Sequence, residues 1–566
     1  MTLESRGPTQ AVGKGSTTAD LLIIGRVATL AGDSGFGWEE GIALAAGRVL
    51  GVGSERDLEP FVGPSTKRWR LTPDQLAVPG ITDAHLHLMT LTIAATHIDL
   101  TGLDLAGVLD AVAARHREMN DAGDRHGWLF GHGWSAHDLG GWPEAGMLER
   151  VAPGRRAELV AHDHHSSWLS VAALHAAGIT GATADPAGGL VRRDAGGEPT
   201  GILHETASAL VESAIPEPPD AMLEQSLISV AQQLAALGVT GCHDPGELTA
   251  DTLIVRGPLF YRRLAEAGRL PLRVHASVRG PQLPRAIDLG LRSGQDVGRY
   301  TMGWLKLFAD GSLGSRSAAM LAHYTDAATN RPTGGPRGMF LTPPDELAQL
   351  ARQAESNGIC VQIHAIGDAA VRTVLDVFEA LPPARPGLPL MRRVEHAQLV
   401  DPVDQPRFGR LGVAASVQPV HLRSDEPQIR VGWGQRGDNA IPLRALLDGG
   451  ALIPFGTDAP VEPPDPWPGL AEAVVRRNPG DESAPRVGPR QAIDLARALR
   501  AACLDPALVA GLTDLGRLTV GARADLLVVP SAGFAEPTDA AALAVTRPLA
   551  TLIDCQVVHR AAHFDP

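Results

Sequence analysis

Between residues 81 and 459 the chain alternates short apolar runs with Ala- and Leu-rich stretches, a pattern that restricts it to a fold with parallel strands. The apolar runs are ITDAHLH (81–87), GVTGCHD (238–244), LRVHASV (272–278), GWLKLFAD (303–310), ICVQIHA (359–365), RRVEHAQ (392–398), GVAASVQP (412–419) and LIPFGTDA (452–459). Between them lie helix-like segments such as MLEQSLISVAQQLAALG, PDELAQLARQAESNG and AAVRTVLDVFEAL. Eight such units predict a (β/α)8, TIM-like barrel of the α/β class. An open doubly wound sheet is disfavoured, because no glycine-rich dinucleotide loop follows a strand.

The flanks differ in style. Residues 20–80 contain DLLIIGRVATLAG and GIALAAGRVLGVG, and residues 506–566 contain GRLTVGARADLLVVP and LATLIDCQVVHRA. These are short strands joined by tight turns, and each set is too small to be stable alone. One composite β-sandwich domain built from 20–80 and 506–566 is therefore expected, flanking a barrel at 81–505. Residues 1–19 are polar and lack an apolar signal core, so a disordered leader is expected there. The first two strand-like runs are separated by about 150 residues, far more than a crossover requires. An insertion at about 95–220 follows, expected to leave the end of the first strand and act as a lid or specificity region.

Bulk properties narrow the function classes. A chain of 566 residues exceeds one compact core, and a formal charge of -14 argues against nucleic acid as a partner. Cys242, Cys360, Cys503 and Cys555 are widely spaced, which argues against a disulfide framework or cysteine-rich zinc site and fits a reducing, cytoplasmic setting. No apolar stretch is long enough to span a bilayer. The expected partner is a small molecule, with a homodimer as one possible assembly.

Chemistry-bearing side chains recur at the C-terminal ends of the predicted strands, where barrels of this kind place their sites. His85 and His87, just after Asp83, are two apart in a strand and so face one side. An HxH pair is common in a chain with 20 histidines, and each histidine alone reads more readily as a hydrogen-bonded core residue. The series is more telling: His364, His396 and Asp458 end three further runs, and Lys306 sits among Trp304, Leu305, Leu307 and Phe308. A lysine buried there must be paired, with Asp310 for example, neutralised or modified.

Several strings resemble the amidohydrolase superfamily, and in particular its amidohydrolase-3 branch, which includes YtcJ-like proteins and N-substituted formamide deformylases. They are PGITDAHLHLM, GWLKLFADGSLGSRSAAM, VQIHAIGDAAV, RRVEHAQLV, AASVQPVHL, FGTDAPVEPPDPW and GRLTVGARADLLVV. The resemblance implies a centre of one or two divalent ions, with His85, His87 and Asp458 on one and His364 and His396 on the other. It also implies that Lys306 is carboxylated by carbon dioxide and bridges the two. Mixed imidazole and oxygen ligands suit Zn2+, with Mn2+, Fe2+ and Co2+ as alternatives. The implied reaction is hydrolysis of a non-peptide N-formyl, N-acyl or cyclic amide C–N bond by metal-activated water, with Asp458 moving the proton. HDHHSSWLS resembles the branch's Asp-Gly-His segment, with His164 in place of the glycine between Asp163 and His165, and implies that His165 contacts substrate. Further substrate-facing candidates are Trp134, Asp310, Ser312, Gln418 and His421. Two alternatives stay open: a hydrolytic ring deaminase, and a non-catalytic metal-binding relative on the same barrel.

Overall fold

A computed structural model of the chain describes residues 18–161, 166–186, 189–212, 214–216, 218–247, 255–328, 335–382 and 388–566. It has two compact units, Leu91–Val230 and a larger one made of Met1–Thr90 with Ala231–Pro566. Residues 1–17 of the expected leader lie outside the described residues. Its last residue, Ala19, is already buried and its N–H donates to the Phe61 carbonyl.

The larger unit contains a run of parallel strands. In space the order is Ala414–Ser416, Arg393–His396, Val361–Ala365, Tyr300–Phe308, Arg273–Arg279, Val239–Asp244 and Ile81–Asp83. Every neighbouring pair in this run is parallel. Strands such as Val239–Asp244 are buried at every position, which is why the sequence shows continuous apolar runs there and no alternation. The connecting helices are amphipathic. Helix Pro344–Ser356 starts with proline and two acidic residues and buries Leu347, Ala351 and Ala354 along one face.

Seven of the eight expected segments are thus strands. The eighth, 452–459, contains Pro454, which has no N–H to give to a ladder, and it is an extended segment instead. Its backbone still bonds on both sides. Ala415 N–H and Val417 N–H donate to the Leu452 and Pro454 carbonyls, while Ala84 N–H donates to Phe455 and Asp458 N–H to His85. Hydrogen bonds therefore run from both edges of the parallel sheet to one segment.

The two termini build one sheet, as expected, but the strands expected as a small sandwich are hydrogen-bonded continuously. Leu21–Ala28, Trp38–Ala45, Arg48–Val52, Lys67–Arg70 and Gln75–Pro79 join Leu526–Pro530, Ala550–Ile553 and Gln556–Arg560 in eight strands. Gln75–Pro79 is the link: it pairs with Leu21–Ala28 on one side and Leu526–Pro530 on the other. One face buries Leu21, Ile23, Ile42, Leu526, Val528 and Trp69 in a common core. Arg273, on a parallel strand, holds Asp525 at the base of this sheet through bonds of 2.6 and 2.9 Å.

The smaller unit is a six-stranded sheet ordered Gly189–Arg193, Pro199–Glu205, Ser166–Leu169, Ala157–Ala161, Leu129–Trp134 and Ile98–Asp99. The hairpin expected in GGLVRRDAGGEPTGILHE is present as the antiparallel pair Gly189–Arg193 and Pro199–Glu205. Trp134, expected to line a substrate pocket, instead belongs to the core of this unit. It is 1% exposed, packs edge-on against Trp168, and donates its Nε1–H to the Leu159 carbonyl at 2.7 Å. That packing accounts for the residue without a substrate. Trp134→Ala is expected to cost the smaller unit about 3–5 kcal/mol, read as a lower urea midpoint for loss of its structure.

Candidate metal centre

Three strands and the 452–459 segment bring their C-terminal ends together around Asp458. Strand Ile81–Asp83 leads into His85 and His87, strand Val361–Ala365 carries His364, and strand Arg393–His396 ends on His396. Ring centroids of His85 and His87 are 5.4 Å apart, those of His85 and His396 4.9 Å, and those of His364 and His396 4.5 Å. The Asp458 carboxylate lies 3.5 Å from His85 Nε2, 3.3 Å from His87 Nε2, 3.4 Å from His421 Nε2 and 4.0 Å from His396 Nδ1.

The local backbone explains how a short segment achieves this. Asp458 and His396 have φ of 62° and 72°, a left-handed conformation that non-glycine residues adopt only when the surroundings impose it. Asp83 supplies part of that constraint. Its carboxylate accepts from His85 N–H, Thr457 N–H and Thr457 Oγ1, stitching the first strand to the last segment. Burial raises Asp83 to about 7 despite those bonds. Gly456 is required by closeness, since a Cβ there would sit 2.5 Å from the His85 nitrogen.

Two groups of side chains offer ligand atoms within 4.8 Å of one another: His85, His87 and Asp458, and His396, His421 and Asp458. The first is the set the sequence predicts. In the second His421 takes the place expected for His364, whose Nε2 is 3.1 Å from the Gly311 carbonyl. The donor set fits a divalent ion on chemical grounds. His85 Nε2 is buried without a hydrogen-bond partner, and a metal would take up its lone pair. Burial, with the Lys306 charge second, lowers His85 to about 4 and His364 to about 3, so both are neutral and able to ligate. Burial works to raise the Asp458 carboxyl, yet contacts from His421 and His87 hold it well below the usual range.

Lys306 is buried beside this cluster, its Nζ 4.9 Å from the Phe308 ring centre. The ion pair with Asp310 considered above does not form. Asp310 spends its carboxylate on the backbone N–H groups of Ala319, Ile366 and Gly367, which organises the loops beneath His364. Among the described residues no carboxylate lies within 4.0 Å of Lys306 Nζ, and burial lowers the amine to about 8. Ser312 is exposed, its hydroxyl 2.9 Å from that of Ser315. Gln418 is buried against the site with Oε1 2.9 Å from His396 Nδ1. His421 also approaches Glu462 at 3.7 Å and is raised to about 10: burial opposes the shift, and the Asp458 and Glu462 carboxylates outweigh it. Asp163, His164 and His165 lie outside the described residues.

Glu395 was not among the predicted residues. Its Oε2 is 2.5 Å from His85 Nδ1, and burial is outweighed by Arg393 and His85, which hold the carboxyl down at about 2. A signal was present in RRVEH, where Arg393 and Glu395 alternate with Val394 and so share one face of a buried strand.

A buried histidine–carboxylate cluster at the C-terminal ends of parallel strands defines an α/β metal-site protein of the hydrolase type. The amidohydrolase family model matches residues 74–559, and the chain belongs to that family. It is 30% identical to the protein LONG AFTER FAR-RED 3 of Arabidopsis thaliana, over 92% of this chain and 88% of that one. It is 30% identical to the putative amidohydrolase YtcJ of Bacillus subtilis (strain 168), over 92% and 96%. Identity to the N-substituted formamide deformylase of Arthrobacter pascens is 26%, over 87% and 90%. A solved structure of an uncharacterized metal-dependent hydrolase from Pyrococcus furiosus superposes with a TM-score of 0.72 at 25% identity, over 90% of this chain and 98% of that one.

Proposed function

We propose that the chain hydrolyses a non-peptide C–N bond of the N-formyl or N-acyl type, on a closed (β/α)8 barrel that holds a divalent metal. The observation that carries this reading is the unpartnered Nε2 of His85 converging with His87 and Asp458 in a buried histidine cluster. The N-substituted formamide deformylase of Arthrobacter pascens, to which the chain is 26% identical, suggests the bond type.

His85, His87 and Asp458 would hold one ion, and His396 with His364 a second. When bound, such an ion supplies Lewis acidity, which polarises a carbonyl and lowers the pKa of water. The protein's own groups do the rest. Asp458 is ionised and, among the described residues, is the carboxylate bordered by both histidine groups, so it would accept the proton of the attacking water and return it to the departing nitrogen. His421 orients that carboxylate from its far oxygen at 3.4 Å. Lys306, as its neutral amine, would add to carbon dioxide: an N–C bond forms as one C=O π bond opens onto oxygen, the nitrogen releases one proton, and the neutral amine becomes an anionic oxygen donor. Zn2+ is the ion best matched to this donor set.

The test is a screen of N-formyl, N-acetyl and cyclic amides with metal-reconstituted protein supplied with bicarbonate. Turnover of at least one amide is expected, lost on chelation and restored by added Zn2+ or Mn2+. Wild-type protein that binds no divalent ion, or turnover that survives complete metal removal, would sink the reading.

A further inference from the structure

A fully buried ion pair lies beneath the site and touches its first histidine. Arg393 and Glu395 are both 0% exposed. Arg393 Nε is 2.9 Å from Glu395 Oε1, and its Nη2 donates to Oε2 at 3.2 Å. That same Oε2 is the atom 2.5 Å from His85 Nδ1. The guanidinium of Arg393 also reaches other groups around the site. Nη2 reaches the Ala84 carbonyl and Ser416 Oγ, both at 2.7 Å, Nη1 reaches His243 Nδ1 at 2.9 Å, and the guanidinium lies 4.6 Å from the Trp304 ring centre.

Arg393 thus grips the chain at Ala84 and, through Glu395, the ring of the next residue. Such an arrangement is not what stability alone selects, because a buried ion pair is often replaceable by apolar side chains at no cost. Its geometry answers a different need. Neutral imidazole carries its proton on either Nδ1 or Nε2, and only the bare nitrogen can ligate a metal. A carboxylate gripped by a guanidinium is an acceptor only. Facing it, His85 Nδ1 must donate, and the lone pair is left on Nε2, the atom without a hydrogen-bond partner.

We infer that Glu395, held by Arg393, is a positioning residue that locks His85 in the Nδ1–H tautomer and so presents Nε2 to the metal; this rests on the metal reading above. The lock exists before any ion arrives, so it is measurable in the metal-free protein. With 15N-labelled histidine, the His85 signals, assigned by their disappearance in His85→Gln, are expected to report a protonated Nδ1 and a bare Nε2. Glu395→Gln replaces an acceptor-only group by one that also donates. It is expected to lower metal affinity about 10–100-fold in competition with a chromogenic chelator, while the melting temperature of the metal-free protein still reports a folded chain. A wild-type His85 protonated on Nε2 would overturn the inference, as would a folded Glu395→Gln variant that binds metal as tightly as wild type. Should that variant not fold, the wild-type spectrum decides alone. A wild type that shows the Nδ1–H tautomer but binds no divalent ion would instead refute the metal reading and leave the lock standing.

Discussion

Asp458→Ala is expected to lower turnover by at least about 10³-fold, the upper part of the range for removing a general acid–base group. The expectation follows from position as much as from chemistry. Four imidazoles lie within 4.0 Å of this one carboxylate, and it belongs to both groups of converging ligand atoms. Its removal should therefore also reduce bound metal, measured by elemental analysis of the purified variant. Asp458→Asn separates the two effects. The amide keeps the shape and an oxygen donor but cannot carry the proton, so more metal should be retained than in the alanine variant while turnover stays equally low. Turnover within tenfold of wild type for Asn at matched metal content would remove Asp458 from the proton-transfer role.

Much of this site was legible because a parallel strand buried on both faces leaves few places for polar residues. His85, His87, His364, His396 and Asp458 each end an apolar run, and the fold brings those ends together. What the sequence hid depends on contacts between segments far apart in the chain. Glu395 reads as one more charge in RRVEH, and its partner His85 is 310 residues away. Asp310 and Trp134 show the reverse error. Each looks chemical in sequence, yet the backbone amides of two loops occupy Asp310, and two neighbouring tryptophans enclose Trp134. His421, a substrate-facing candidate in the sequence, lies against Asp458, a contact that the sequence did not reveal. The terminal strands were visible as strands, but their pairing was not. A single ladder through Gln75–Pro79 turns two flanks into one sheet, and turn residues alone do not specify that link.

Lys306→Met is expected to separate stability from function most sharply. Among the described residues no carboxylate lies within 4.0 Å of this buried ammonium, and its desolvation outweighs the more distant attraction of Glu395 and Asp458, lowering its pKa to about 8. Methionine fills a similar volume with no charge to bury. The metal-free variant should therefore melt at or above the wild-type temperature, a sign opposite to that of most core substitutions. Turnover should fall by about 10³-fold or more if the lysine nitrogen, carboxylated, contributes an oxygen donor that no thioether can replace. A salt-bridged structural lysine would behave in the opposite way, losing stability and keeping its rate. The same logic fixes the carbon dioxide dependence. Wild-type protein reconstituted in bicarbonate-free buffer should bind its metal more weakly and recover on adding bicarbonate, whereas Lys306→Met should be indifferent. A wild type equally indifferent to bicarbonate would leave the unpaired lysine real but its carboxylation refuted.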